Sequence, residues 1–210
     1  IRREIIKNRI FDRHVYELGK KFVRPNTTII DAGANYGQMS ILFSKVQSNT
    51  IVYSFEASNY IFNILEKNIS INSENIKAIN CILSDKSGEE YLEKPNLKKF
   101  GTYGALNLEL SNANNKDKIK TIMRRIDDFN YEKKISLMKI DVQGWDLKVL
   151  KGSLKTINKY RMPIIFEYED IFEEEMNYTF ESYLHFFKEI DYKFKTSING
   201  NFLVLPKEHC

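Results

Sequence analysis

Acidic residues and glycines that could bind a small molecule stand at the ends of apolar segments of this chain. The stretch IIDAGANYGQMSIL, residues 29–42, places Asp31, Gly33 and Gly37 where a buried strand gives way to a helix. Glycine permits a sharp turn and a close approach of the backbone to a ligand. The amides of the first turn of the following helix favour an anionic group such as a carboxylate. Asp31, at the strand end, could accept a hydrogen bond from an ammonium group or orient the loop.

Two more acidic positions close the next two apolar segments. Glu56 closes IVYSFEA, where an acid can accept hydrogen bonds from both hydroxyls of a ribose. The alternative for Glu56 is a solvated loop acid. Asp85, after Ser84, ends the third segment and could accept a hydrogen bond from an adenine amine. Ser-Asp also ends many strands as ordinary turn chemistry, so this position alone says little.

The order of these residues indicates which ligand they would bind. The loop G-A-N-Y-G does not match the G-x-G-x-x-G pattern of dinucleotide sites, so a pyrophosphate is a poor fit. A nucleoside that carries an amino acid fits the set of glycines and acids better. The sequence therefore predicts an S-adenosylmethionine site, in which Asn35 and Tyr36 border the methionine part of the cofactor.

A second pair of acids could carry the chemistry. Asp141 ends the segment ISLMKID, and Glu167 ends the next one, MPIIFE, so the two lie on neighbouring strand ends of the predicted sheet. An alcohol acceptor needs a general base or a metal ion. Asp141 is the first choice for either role, and its alternative is a helix N-cap for the turn at Gly144. Together the two carboxylates could hold Mg²⁺ or Mn²⁺, although no third ligand is evident.

The acceptor side of the site is less marked in the sequence. Trp145, the single tryptophan, could offer an apolar platform to a sugar face or belong to the core. The glycine-containing stretch at 101–110 is the best candidate for an acceptor wall, and Tyr103 and Asn107 in it could contact hydroxyls.

The elements that position these residues alternate between strands and helices. An N-terminal helix over 1–22, periodic from residue 3, precedes strands TTIIDAG, TIVYSFEA, NIKAINCILSD, ISLMKIDV and MPIIFEYE. The predicted helices between and after them are YGQMSILFSKV, 58–73, 145–159 and TFESYLHFFKEIDY, and a hairpin around Asn199-Gly200 ends the chain. Residues 86–134 interrupt the alternation as an insertion of loops with short strands near 103–110 and 118–123. This order predicts an α/β, doubly wound, mostly parallel seven-stranded sheet with helices on both faces.

Composition narrows the class of protein. The chain has 210 residues, a net charge of +4, 42% hydrophobic and 29% charged residues, which predicts one globular domain over 1–210. It has no dense basic block, so a nucleic-acid partner is not expected, and no apolar run of membrane-spanning length. The two cysteines lie far apart, which favours a reducing compartment such as the cytoplasm. Because the chain begins at Ile1 rather than Met, covalently linked neighbouring domains in a longer protein are an expectation.

Five segments of the chain resemble the FkbM-type methyltransferases: DAGANYGQMSIL, VYSFEA, LEKNISIN, MKIDVQGWDLKVLKG and PIIFEYE. The similarity covers roughly residues 15–170. It departs from the family at Gln143, where Glu is common, and at Glu56-Ala57, where Glu-Pro is common. The resemblance implies a class I S-adenosylmethionine-dependent methyltransferase with a Rossmann-like sheet, and a family that mostly methylates hydroxyls of sugars, glycans and secondary metabolites.

We therefore expect an O-methyltransferase whose acceptor is a sugar or glycan hydroxyl, for example of a deoxyhexose such as rhamnose. Methylation of a nucleic-acid base would require an Asn/Asp-Pro-Pro-aromatic motif where Asp141-Val142-Gln143-Gly144 stands. Two alternatives stay open. One is methylation of the ribose 2′-hydroxyl of RNA, and the other is a module that binds S-adenosylmethionine without catalysis.

Overall fold

The computed structural model describes residues 10–72, 75–93 and 118–209. The helices are α1 (Arg13–Gly19), α2 (Gln38–Ser44), α3 (Asn59–Asn72), α4 (Asp146–Lys151), α5 (Leu154–Tyr160), α6 (Glu173–Met176) and α7 (Phe180–Glu189). The strands are β1 (Thr28–Ala32), β2 (Ile51–Glu56), β3 (Ile76–Asn80), β4 (Ile82–Leu83), β5 (Gly88–Glu93), β6 (Lys118–Arg124), β7 (Ile135–Ile140), β8 (Ile164–Glu167), β9 (Tyr192–Ile198) and β10 (Asn201–Pro206).

A seven-stranded sheet in the order β3-β2-β1-β7-β8-β10-β9 forms the centre of the fold. In this sheet the five neighbouring strands β3, β2, β1, β7 and β8 pair in parallel, and β10 is antiparallel to both β8 and β9. The chain moves outward from β1 to β3 and later returns to place β7 beside β1. In an open α/β sheet, ligands bind beyond the carboxyl ends of the strands at such a switch point. The predicted doubly wound, seven-stranded fold is confirmed.

The central strands are covered on both faces. Every residue of β1 and β7 is buried, which explains their almost uninterrupted apolar sequences. Helices α1, α2 and α3 cover one face through Val15, Phe43 and Leu65. Helices α4 and α7 cover the other face through Leu150 and Phe187. The helices therefore hold the carboxyl ends of β1 and β7 in a fixed position.

The third predicted strand, over residues 75–85, is divided between two sheets. Strand β3 forms the edge of the main sheet, and Cys81 then redirects the chain into β4. Strand β4 pairs with β6 through Leu83 and Arg124 in a separate three-stranded sheet of order β4-β6-β5. The prediction of one continuous strand is therefore wrong, because a long apolar run does not show where a chain changes sheets.

The insertion predicted over 86–134 contains the other two strands of this small sheet. The strand predicted near 118–123 is β6, whereas β5 was not predicted because Glu89 and Tyr91 are exposed, Glu90 is only half-buried, and the three give no buried pattern. The two strands are antiparallel, with Gly88 paired with Met123. The strand predicted at 103–110 lies outside the described residues.

Two predicted helices have different bounds in the structure. The helix predicted over 145–159 is divided at Gly152, where a Cβ atom would come within 1.9 Å of the Ser84 carbonyl oxygen. The N-terminal helix begins only at Arg13 among the described residues, after Asp12 in the left-handed conformation, and ends at Gly19. None of the helices within 10–72, 75–93 and 118–209 is long and apolar enough to cross a membrane.

Candidate active site

A cavity of about 370 Å³ opens at the carboxyl ends of β1, β2, β7 and β8, at the switch point of the sheet. Its volume lies in the range of small-molecule sites. Its walls come from the segment before α1, the loops after these strands and the link between β3 and β4. The lining residues are Phe11, Asp12, Gly33, Asn35, Phe55, Glu56, Ala57, Cys81, Ile82, Leu83, Asp141, Val142, Gln143, Trp145, Glu167 and Glu169.

The glycine loop after β1 is packed tightly against the ends of β2 and β7. Gly33 has a φ of +77°, and a Cβ atom on it would lie 1.8 Å from the Asp141 carbonyl oxygen. The N–H groups of Gly33 and Ala34 donate to the Phe55 carbonyl oxygen at 3.0 and 2.8 Å, and that of Asn35 donates to Glu56. These three N–H groups therefore form hydrogen bonds with residues of β2. Gly33 and Asn35 also line the cavity.

The second glycine of the loop and its tyrosine lie beside the main cavity. Gly37 has a φ of +85°, and a Cβ atom on it would lie 2.5 Å from Leu65 Cδ1, so its role is to let the loop pack on α3. The backbone N–H of Tyr36 donates to Asn35 Oδ1 at 2.8 Å, and its carbonyl oxygen accepts from Asn68. Tyr36 lines a smaller neighbouring cavity.

Asp31 does not reach the cavity, contrary to its predicted contact with the ligand. It is completely buried because β1 is covered on both faces, and Oδ2 accepts a hydrogen bond from Ser40 at 2.5 Å. The other oxygen lies 3.2 Å from Lys139 Nζ. Its second proposed role, orientation of the loop, agrees with this position because Lys139 also donates to the Gly33 carbonyl oxygen at 3.3 Å.

Lys139 links the glycine loop to the candidate catalytic acid. Its Nζ lies 3.3 Å from Asp141 Oδ2, and the side chain is almost completely buried. Burial lowers the pKa of Lys139, but the carboxylates of Asp31 and Asp141 raise it by more, so the net shift is upward. The ammonium group is therefore charged at neutral pH. Sequence reasoning missed Lys139, since a lysine inside an apolar strand gives no sign of its partners.

Glu56 lies at the end of β2 and lines the cavity, as its predicted role requires. Its two carboxyl oxygens accept hydrogen bonds from the N–H groups of Asn35 at 3.0 Å and Ser58 at 2.9 Å. Burial raises the pKa of Glu56 to about 7, against the opposing effect of these two bonds. Each oxygen keeps a second lone pair, so the group retains acceptor capacity for ligand hydroxyls.

Ser84 and Asp85 lie away from the cavity, contrary to their predicted place beside an adenine. The corresponding wall is formed by Cys81, Ile82 and Leu83, because the chain leaves the main sheet before it reaches Ser84. The Ser84 hydroxyl donates to Asp85 at 3.1 Å, and Asp85 is exposed. The predicted strand over residues 75–85 is longer than a typical strand. That length was the only signal in the sequence that Ser84 and Asp85 would lie away from the cavity.

Asp141 and Glu167 come together at the ends of adjacent strands, and a side-chain hydrogen bond joins them. Gln143 Nε2 donates to Asp141 Oδ1 at 3.3 Å and to Glu167 Oε2 at 3.4 Å. Burial raises the pKa of Asp141, but the Lys139 charge and the hydrogen bonds from Glu167, Lys139 and Gln143 together lower it by more, so the net shift is downward. Burial and the Asp141 charge both raise the pKa of Glu167. The two shifts run in opposite directions, so the environment favours the charged form of Asp141 and the protonated form of Glu167.

A predicted metal site at this pair has no further ligand in the described ranges. There, no group of three or more His, Cys, Asp or Glu side chains is arranged to hold a metal ion.

Trp145 forms part of the apolar wall rather than an open platform. It is 2% exposed and packs with Ile82 and Met123. Lys148 Nζ lies 3.7 Å from the centre of its ring, a cation–π contact. The core alternative for Trp145 is therefore the better description, although one part of the residue lines the cavity. Tyr103 and Asn107 lie outside the described residues.

Sequence reasoning did not identify Phe11 and Asp12, before α1, or Glu169, after β8, as residues of the site. Phe11 and Asp12 line the cavity from one side and Glu169 lines it from the other. Nearby, His14 Nε2 lies 3.3 Å from the amide nitrogen of Asn201, which ties α1 to the end of β10. No local pattern in the sequence marked these contacts, since they join residues from opposite ends of the chain.

Comparisons with known proteins agree with this arrangement. The family model of the methyltransferase FkbM domain matches residues 31–194. Methyltransferase sdnD of Sordaria araneosa is 27% identical over an alignment of 181 residues that covers 72% of this chain and 69% of that protein.

Solved structures share the fold. The methyltransferase FkbM from Methylobacillus flagellatus has a TM-score of 0.58 at 13% identity over 90% of this chain, which spans only half the length of that one. A putative caffeoyl-CoA O-methyltransferase from Staphylococcus aureus has a TM-score of 0.58 at 13% identity, over 93% of this chain and 83% of that one.

Proposed function

The chain belongs to the FkbM methyltransferase family, and we propose that it transfers a methyl group from S-adenosylmethionine to a hydroxyl of a sugar or glycan. A deoxyhexose such as rhamnose is the acceptor we would test first. The observation that carries the proposal is the carboxyl pair of Asp141 and Glu167, which lines the cavity and is bridged by the amide group of Gln143.

The walls of the cavity fit the proposed methyl donor. Glu56 would accept hydrogen bonds from the ribose hydroxyls, and the apolar wall at Ile82 and Leu83 suits an adenine ring. Gly33 has no side chain, and a Cβ atom there would clash with the Asp141 carbonyl oxygen, so the loop leaves room for the cofactor at this position. The cofactor supplies an activated methyl group on a positively charged sulfur. A cavity lined by several carboxyl groups suits that charge.

Asp141 is placed to remove the proton of the acceptor hydroxyl. Lys139 keeps its carboxylate charged, and Gln143 and Glu167 hold it by hydrogen bonds. With the cofactor bound, transfer of its methyl group to the acceptor oxygen would break the carbon–sulfur bond and leave S-adenosylhomocysteine. The hydroxyl proton would pass to Asp141 and then to solvent after the methylated product departs. Glu167 stays neutral throughout and orients Asp141, so it acts as a hydrogen-bond donor rather than as a second base.

Transfer of labelled methyl from S-adenosylmethionine to glycosides, RNA and protein tests this proposal. We expect label on a glycoside, and rhamnosides belong in the panel. Asp141→Asn should lower kcat by about 100-fold or more, since a general base contributes that much. Glu167→Gln should keep activity within about tenfold, because a glutamine amide can still donate to Asp141. Asp191→Asn, at an exposed aspartate away from the cavity, is the matched control.

Other outcomes would contradict the proposal in different ways. Label on RNA alone would point to ribose 2′-hydroxyl methylation. Cofactor binding without any transfer would point to a non-catalytic module. Loss of activity with a chelator, together with equal losses in Asp141→Asn and Glu167→Gln, would replace the proton-sharing pair by a Mg²⁺ or Mn²⁺ site.

A further inference from the structure

The segment before α1 divides the space at the carboxyl edge of the sheet. A second cavity of about 60 Å³ shares Phe11, Asp12, Gly33, Asn35 and Asp141 with the main cavity. Its remaining walls come from α1, the glycine loop, the start of α2 and Lys139. The residues assigned to the nucleoside, Glu56, Ile82 and Leu83, line only the main cavity. The small cavity is therefore an extension beyond the nucleoside, over the loop that follows β1.

Asp12 is the acidic side chain that this segment brings to both cavities. It occupies the N-cap position of α1, where an aspartate commonly accepts an N–H of the first turn, yet its side chain makes no such bond. Its backbone is left-handed, with φ 48° and ψ 46°, a conformation that aspartate and asparagine adopt more readily than most other side-chain-bearing residues. The neighbouring N–H of Phe11 donates to Gln38 Oε1 at 2.8 Å and holds the segment in place. Capping does not explain this aspartate.

The surroundings of Asp12 favour a bound cation. Burial and the nearby Asp141 charge raise its pKa, while His14 and Lys139 lower it. Lys139 already lies within 3.3 Å of Asp31 and Asp141, and His14 bonds to Asn201. A cationic ligand group beside Asp12 would relieve its repulsion from Asp141.

We propose that Asp12 binds the ammonium group of the methionine part of S-adenosylmethionine. This inference rests on the proposed function, since it requires that cofactor in the main cavity. The nucleoside then occupies the main cavity beside Glu56, and the amino-acid end reaches the small cavity. The contact is a charge-assisted hydrogen bond between an ammonium and a carboxylate.

Ligands that share the nucleoside but differ in the amino-acid end test this assignment by calorimetry. S-adenosylhomocysteine carries the ammonium and the carboxylate, decarboxylated S-adenosylmethionine carries the ammonium alone, and 5′-methylthioadenosine carries neither. In Asp12→Asn we expect the Kd of the first two to rise about tenfold or more, and that of 5′-methylthioadenosine to stay within about twofold. Asparagine tolerates the left-handed backbone, so the segment keeps its conformation.

Two controls separate this contact from other effects. Asp191→Asn changes another left-handed aspartate, with φ 57°, and should leave all three affinities unchanged. Glu56→Gln should weaken all three ligands, since all contain the ribose. Equal weakening of all three ligands by Asp12→Asn, or none, would overturn the role of Asp12 while leaving the proposed function intact. Failure of the unaltered chain to bind S-adenosylhomocysteine would overturn both.

Discussion

Replacement of Gly33 by alanine is expected to damage the candidate site far more than its backbone conformation alone predicts. Gly33 and Gly200 both have a φ of +77°, so the left-handed backbone destabilises an alanine at either position by the same amount, about 1–2 kcal/mol. At Gly200 the nearest atom to the new Cβ is the Tyr168 carbonyl oxygen at 3.2 Å, which small shifts can accommodate. At Gly33 it is the Asp141 carbonyl oxygen at 1.8 Å.

The clash at Gly33 forces the ends of β1 and β7 apart, because a backbone oxygen in a central strand end cannot rotate aside. Overpacking of this kind adds about 1–3 kcal/mol. We therefore expect Gly33→Ala to lower the free energy of unfolding by about 2–5 kcal/mol, against about 1–2 kcal/mol for Gly200→Ala. Because Asp141 moves with β7, transfer should fall by about 100-fold in Gly33→Ala and little in Gly200→Ala.

Urea unfolding gives the two stabilities, and calorimetry with S-adenosylhomocysteine together with the transfer assay gives the effect on the site. Equal losses of stability in the two variants, with activity retained in Gly33→Ala, would refute the reasoning. That result would mean that the strand ends are not held as close together as the structure places them.

Two predictions concern pH. Because the pKa of Glu56 is raised to about 7 and its charged form is the better acceptor, the affinity for 5′-methylthioadenosine should rise between pH 6 and 8, and Glu56→Gln should abolish this rise. Asp146 is buried, and burial and Asp141 raise its pKa from 3.8 to about 8, so its protonated form stabilises the fold at low pH and that stability is lost as pH rises towards 8. Between pH 6 and 8, the free energy of unfolding of Asp146→Asn, measured with urea, should therefore fall by about 1–3 kcal/mol less than that of the unaltered chain. Equal dependence of the two unfolding free energies on pH would contradict the raised pKa of Asp146.

The sequence predicts best those features that depend on short segments. The buried segments around β1 and β7 and the helices between strands have clear apolar patterns. Four cavity residues lie at or directly after the end of a strand and could be predicted from that position: Gly33, Glu56, Asp141 and Glu167. Because the carboxyl ends of parallel strands meet at one edge, their meeting at one cavity could be anticipated.

The parts that were mispredicted depend on contacts between distant segments. Asp31 is buried because β7 and its Lys139 lie alongside, and Asp85 misses the cavity because the chain changes sheets at Cys81. Asp12 reaches the cavity through the packing of α1 on the main sheet. None of these facts has a local signature, since each is decided by a partner far away along the chain.

The pairing of β4 with β6 makes the excursion of the chain into the small sheet a closed module. Leu83 ends β4, Arg124 ends β6, and these two residues are paired, so the segment between them begins and ends at the same place in the small sheet. Ile82 and Trp145 line the cavity and Met123 packs against them, so the paired inner end of this module supports the cavity wall. The pairs Leu83–Arg124 and Gly88–Met123 are thus a fixed junction, at which a segment from a relative can be joined to this chain while the strand pairing on the cavity side is kept.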